Sequence, residues 1–91
     1  MGPKVASTFL QRALNSLNNG GTLYADLLLD GDAGQKTRDA LSAFIKRRGS
    51  SGELVLLSAI RGLRIERYIS LGEARVANEA FMFGWLTRAA A

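Results

Sequence analysis

Residues 27 to 44 read LLLDGDAGQKTRDALSAF: an apolar run, a tight turn, a second bend, then an amphipathic segment. Asp30-Gly31 is a turn pair, because an aspartate carboxylate accepts from its own downstream backbone and glycine tolerates positive φ. Gly34 lets the chain bend again three residues on. Thr37 is a candidate N-cap, its hydroxyl placed to satisfy free N–H groups of the helix that follows. Ala40, Leu41, Phe44 and Ile45 recur at helical spacing and predict one buried face. Leu27, Leu28 and Leu29 have no partner run to pair with as a strand, so they read as a loop whose leucines plug the core.

Working outward, a first helix is predicted over about Ser7 to Asn18, with Phe9, Leu10, Ala13, Leu14 and Leu17 on its apolar face. Thr8 with Gln11 fits a capping box, and Asn18-Asn19-Gly20-Gly21 is a helix stop. The second helix should run from Gly34 or Gln35 to Arg48. Its last turn, Lys46-Arg47-Arg48, complements the helix dipole, and Gly49 is the expected stop. After a Gly49–Gly52 linker, with Ser51 as cap, a third helix is expected to about Glu73. Leu54 to Ile60 are apolar nearly all round, which predicts a central post buried on most sides. Gly62 within it implies close packing by a neighbour, and a kink is expected near Gly62 or Gly72. A fourth helix follows the break at Arg75-Val76-Ala77, capped by Asn78, with Phe81, Met82, Trp85 and Leu86 at helical spacing, Gly84 allowing close approach, and residues 87–91 fraying. The fold class is therefore all-α: a small bundle of three to four helices around a central apolar helix.

One domain accounts for the 91 residues, with its core over about 5–88. Cysteine and histidine are both absent, which removes disulfides, thiolate chemistry and the usual near-neutral acid–base group. Twelve basic against eight acidic residues give a net charge of +4 and a pI near 10.1, a balance attracted to polyanions such as nucleic acid or an anionic cell wall. A solubility role explains the same charge. The start MGPKVAST lacks the apolar stretch of a signal peptide, and no run approaches the ~20 residues of a membrane span.

Asp30 and Asp32 do not make an EF-hand, because the twelfth position counted from Asp30 is Leu41 rather than glutamate. Gly31 and Gly34 do not stand in a phosphate-loop frame. No metal and no cofactor is expected. Sugar recognition uses an aromatic face with planar polar groups, and arginine adds bidentate contacts to carboxylates. Tyr24, Tyr68 and Trp85 are the aromatic candidates, with Arg64, Arg67 and Arg75 beside them, and Asp30 and Gln35 at the turn complete the set. Each has a structural alternative: Trp85 with Phe81 as core, Tyr68 as a buried ring, and the arginines as the wet edge of the central helix.

Leu10-Gln11, Leu14-Asn15, Asp30-Gly31, Gly34, Thr37, Ala40-Leu41 and Phe44 resemble the pattern of peptidoglycan-binding domains. Arg67-Tyr68-Ile69, Glu73-Ala74-Arg75, Asn78-Glu79, Phe81 and Phe83-Gly84-Trp85-Leu86 extend the resemblance to the C-terminal domain of the family 108 N-acetylmuramidases, lysozyme-like enzymes of phages and bacteria. The resemblance implies a peptidoglycan partner, a turn at Asp30-Gly31 that shapes the edge of a ligand groove, and a catalytic muramidase domain in cis or trans. That family's catalytic glutamate lies in another domain, in a Glu-Gly-Gly-type motif. Here Glu53, Glu66, Glu73 and Glu79 are never followed by two glycines, so the chain looks like the non-catalytic half.

Three functions remain in view. One is a peptidoglycan-binding domain, made in the cytoplasm or phage-encoded, acting at the wall after release. A second is a structural subunit that packs on a catalytic half, which predicts an exposed apolar patch. The third is a small basic nucleic-acid binder using Lys46-Arg47-Arg48. It is disfavoured because the basic residues do not gather on one helix face with base-reading partners.

Overall fold

A computed structural model describes residues 2–90 as three helices: α1 (Pro3–Ser16), α2 (Gln35–Ala74) and α3 (Val76–Ala90). No strand is present among the described residues, so the all-α reading holds. Ala91, the tip of the end expected to fray, lies outside them; residues 87–90 are helical.

α1 starts four residues earlier than the sequence pattern suggests. Pro3 sits in the first helical turn, where its fixed φ suits a helix and its missing N–H costs nothing. The capping box does not form. The Thr8 hydroxyl donates to Lys4 O at 2.9 Å inside the helix, and Gln11 turns inward. Thr37 is not the N-cap of α2 either: Gly34 takes that position in extended conformation, and Thr37 is buried a turn inside. The chain bends at Asp30-Gly31, and helix begins directly after Gly34.

α2 is broken where the basic triplet ends. Gly49 has φ 66° and ψ −155°, a conformation that only glycine adopts readily. The expected four-residue linker shrinks to this single position, and helix resumes at residue 50. No interruption occurs at Gly62 or Gly72. The core forms where α1 meets both limbs of α2: Ala13 and Leu14 from α1, Ala40 and Phe44 from the first limb, Leu56 from the second. Tyr24 and Leu27 pack on its edge.

α1 and α3 each pack on α2 and do not meet, so the long helix that includes the expected central segment stands between them. Its apolar run is not buried on most sides, however. Leu56 is buried, whereas Leu54 is 68% exposed and Val55 and Leu57 are about half exposed. The reason is register. Met82 lies against Gly72 and Trp85 beside Tyr68, so α3 runs antiparallel to α2 from the corner at Arg75. Its 15 residues end before they reach Leu54–Leu57. Gly62 faces open space, and the close approach expected there occurs instead at Gly72, where an added Cβ would stand 2.8 Å from Met82 Sδ. Gly84 makes no comparable approach; the nearest group is Arg88 Nη1 at 3.6 Å. Asn78 does not cap α3. Its Nδ2 donates to Leu71 O at 2.9 Å, satisfying a carbonyl at the end of α2.

Candidate functional site

The segment between α1 and α2 has no secondary structure of its own, yet it is held down at many points. α1 and its exit present three side-chain amides at positions 11, 15 and 18, a spacing that puts them on one face of a helix. Asn18 is 1% exposed and uses its whole hydrogen-bonding capacity. Its Nδ2 donates to Tyr24 O at 2.7 Å and Asp26 Oδ1 at 2.8 Å, and its Oδ1 accepts from the N–H groups of Leu23 and Tyr24. Asn15 pairs with Leu27 as a strand neighbour would: Nδ2 donates to Leu27 O at 2.9 Å, and Leu27 N donates to Asn15 Oδ1 at 2.8 Å.

Gln11 does the same for the Asp-Gly turn. Gly31 N donates to its Oε1 at 3.0 Å, while its Nε2 lies within reach of Asp30 Oδ1, Asp32 O and Thr37 Oγ1 at 3.0–3.1 Å. Thr37 therefore joins turn to helix through Gln11 rather than by capping. Asp30 Oδ1 also accepts from Asp32 N at 2.9 Å, closing the turn. The Asp32 N–H, and next the Gln11 amide, hold the Asp30 carboxyl below its ordinary range. Gly31 sits at φ 74°, and a Cβ there would press on α1 at Lys4 O (2.9 Å).

This pinned loop and the start of α2 form the walls of a groove. One section, about 250 Å³, is lined by Asp26, Leu28, Asp30, Asp32, Gln35 and Lys36 among others. A second, about 430 Å³, is lined by Tyr24, Asp26, Leu27, Lys36 and Asp39 among others. Asp26, Leu27 and Lys36 border both sections, so the two adjoin. Leu28, expected to plug the core, is 78% exposed on the lip; Leu29 is also exposed, and only Leu27 of the three packs inward. Asn15 fixes Leu27 against α1 through both backbone groups of Leu27, and among the described residues no such bond holds Leu28 or Leu29.

Of the sequence candidates, Tyr24, Asp30 and Gln35 come together here, with Gly34 and Thr37 in the wall. Tyr24 is committed in part to the fold: its hydroxyl donates to Leu14 O. Burial first, then the Asp26 charge, raises its pKa above the ordinary phenol value, against an opposing effect of Arg48. The hydroxyl is thus engaged within the fold. Gln35 bridges Asp39 (2.6 Å) and Arg38 (3.3 Å) on the exposed surface. Lys36 and Asp39, which sequence reasoning passed over, stand on the groove because they share an α2 face with Ala40 and Ala43.

The other candidates lie elsewhere. Tyr68 and Trp85 form an aromatic pair at 5.6 Å across α2 and α3, with Phe81 stacked on Trp85 at 6.0 Å. Both rings are half-buried, as a packing role requires. Arg75 is exposed at the α2–α3 corner, Arg64 is half-buried on α2, and Arg67 lies in a separate cleft against α1.

The domain is all-helical, and its Asp-Gly loop is sewn to its first helix by side-chain amides. The sequence model of the family described as Predicted Peptidoglycan domain matches residues 5–90, and the chain belongs to that family. A peptidoglycan-binding role follows at that level. No match was found among curated proteins. Among the described residues, no helix is long and apolar enough to cross a membrane.

Proposed function

We propose that this chain is the non-catalytic wall-binding module of an endolysin-type muramidase, and that wall glycan lies in the groove between the Asp-Gly loop and the start of α2. The observation that carries the reading is the pinned loop: the turn that the family pattern shares is held by Gln11, the stretch before it by Asn15 and Asn18, and the loop forms one wall of the groove. A preformed wall limits the entropy lost on binding. The carboxylates of Asp26, Asp30, Asp32 and Asp39 are acceptors for sugar hydroxyls, and the Tyr24 ring offers an apolar edge to a pyranose. The module, made in the cytoplasm and acting at the wall after release, raises the local concentration of a catalytic domain.

The test is retention on purified peptidoglycan sacculi at low and moderate salt. Wild type should be retained at both. Gln35→Ala with Lys36→Ala, both exposed on the groove, should abolish retention without changing the fold. Retention by that double variant equal to wild type would remove the groove from the reading.

A second role has its own support. Leu54, Val55, Leu57, Ile69, Phe81 and Phe83 are exposed, as expected of a domain that also packs on a catalytic half. Its check is calorimetric titration of the chain with a muramidase catalytic domain, where Phe83→Ser should weaken the heat signal while leaving sacculus retention intact.

A further inference from the structure

α1 and the second limb of α2 enclose a cleft that the groove reading does not use. Its volume is about 220 Å³, and it is lined by Phe9, Arg12, Glu66, Arg67, Ser70 and Leu71. Two guanidinium groups from different helices border it, and among the described residues neither has an ion-pair partner. The Nε of Arg67 is buried and has no acceptor. A buried guanidinium N–H without a partner is costly and uncommon in a folded protein. The cleft's one carboxylate, Glu66, accepts from the Ser70 hydroxyl at 3.1 Å. Phe9, buried in α1, supplies an apolar wall that strengthens any charge interaction formed beside it.

We propose that this cleft binds a small oxyanion, a carboxylate or a phosphate, held between Arg12 and Arg67. Planar guanidinium groups match such anions through paired N–H donors. An anion there relieves the mutual repulsion of the two arginines. The free α-carboxylate of a stem peptide and the phosphate of an anionic wall polymer share this chemistry. That the anion comes from the wall rests on the proposed function; the site itself does not.

The experiment follows the arginine Nε–Hε signals by proton–nitrogen NMR. The burial of the Arg67 Nε should slow its exchange with water, so the signal is observable. The full chain is titrated with inorganic phosphate and with N-acetyl-D-alanyl-D-alanine, against sodium chloride at matched ionic strength. The expected result is a saturable shift of the Arg67 signal with at least one of the two anions and none with chloride. Arg12→Gln, a change at an exposed position, should weaken the response about tenfold, the loss expected for one charge-assisted contact. The tighter of the two anions names the source. Absence of a saturable shift with both, an equal shift with chloride, or an unchanged affinity in Arg12→Gln overturns the proposal. The groove double variant should lose sacculus retention and keep the Arg67 response, so the two readings fail separately.

Discussion

Asn18 connects the exit of α1 to Leu23, Tyr24 and Asp26 through four hydrogen bonds, all from a side chain that water does not reach. Asn18→Leu removes every one and leaves loop N–H groups without acceptors. The expected loss is about 1–3 kcal/mol, the cost of stranding such groups, read from urea denaturation. Gln11→Glu is expected to be harmful for another reason. The new carboxylate would face Asp30 Oδ1 and Asp32 O, where Gln11 now donates. The melting temperature of that variant should fall, and fall further as pH rises through the carboxylate range. Asp30 itself has a pKa lowered by the fold, so its contribution is present above its unfolded value and lost as pH falls through the folded one. Acid below about pH 4 should therefore loosen the turn. Asp30→Asn should flatten that part of the stability profile, measured by hydrogen exchange at the Gly31 amide. The amide spacing 11, 15, 18 was visible in the sequence, but Gln11 reads equally well as half of a capping box. Which way a polar side chain turns depends on what lies across from it, and that is set by the loop's return path.

Among the elements, α2 depends on one glycine for its change of direction. Gly49→Ala meets no neighbour, since nothing lies within 4 Å of the added Cβ. Its cost is conformational alone, about 1–3 kcal/mol for a side chain forced to that φ and ψ, and denaturant melts will measure it. Gly72→Ala should behave differently. The added Cβ meets the flexible end of Met82, while alanine favours the helix by about 1 kcal/mol. The two effects offset, and stability should stay within about 1 kcal/mol of wild type. The stop at Gly49 was legible, because cations followed by glycine mark a helix end locally. The supposed close approach at Gly62 was not, because a glycine's neighbour is chosen by the register of α3, which no local pattern encodes.

The whole molecule is elongated, 43 × 26 × 20 Å, because α1 and α3 pack on α2 without meeting. Charge divides along the chain as well. Four basic side chains balance four aspartates in residues 1–44, so the net +4 falls on residues 45–91. The groove thus lies on the neutral, aspartate-bearing part, and the exposed apolar side chains on the cationic part. Phe83 is 85% exposed, so Phe83→Ser should leave the denaturation midpoint within about 0.5 kcal/mol of wild type, as for other surface sites. Sedimentation should show less self-association than wild type if this face is sticky in isolation. An unchanged sedimentation profile would show that a lone phenylalanine does not drive association.

The sequence by itself determined the helical class, the loop between the first two helices, the turn at Asp30-Gly31 and the break at Gly49. These depend on spacing and on glycine's backbone freedom, both properties of neighbouring residues. It also carried the peptidoglycan-domain pattern, which lies in the order of those residues. Only the tertiary structure decided that Thr37 is a buried link rather than a cap, that Leu54, Val55 and Leu57 stay in solvent, and that the eight candidate ligand residues fall in separate places. An apolar or polar side chain declares what it needs, but whether a partner covers it depends on where distant elements end. Here α3 stops short of Leu54, and the loop comes back to Gln11.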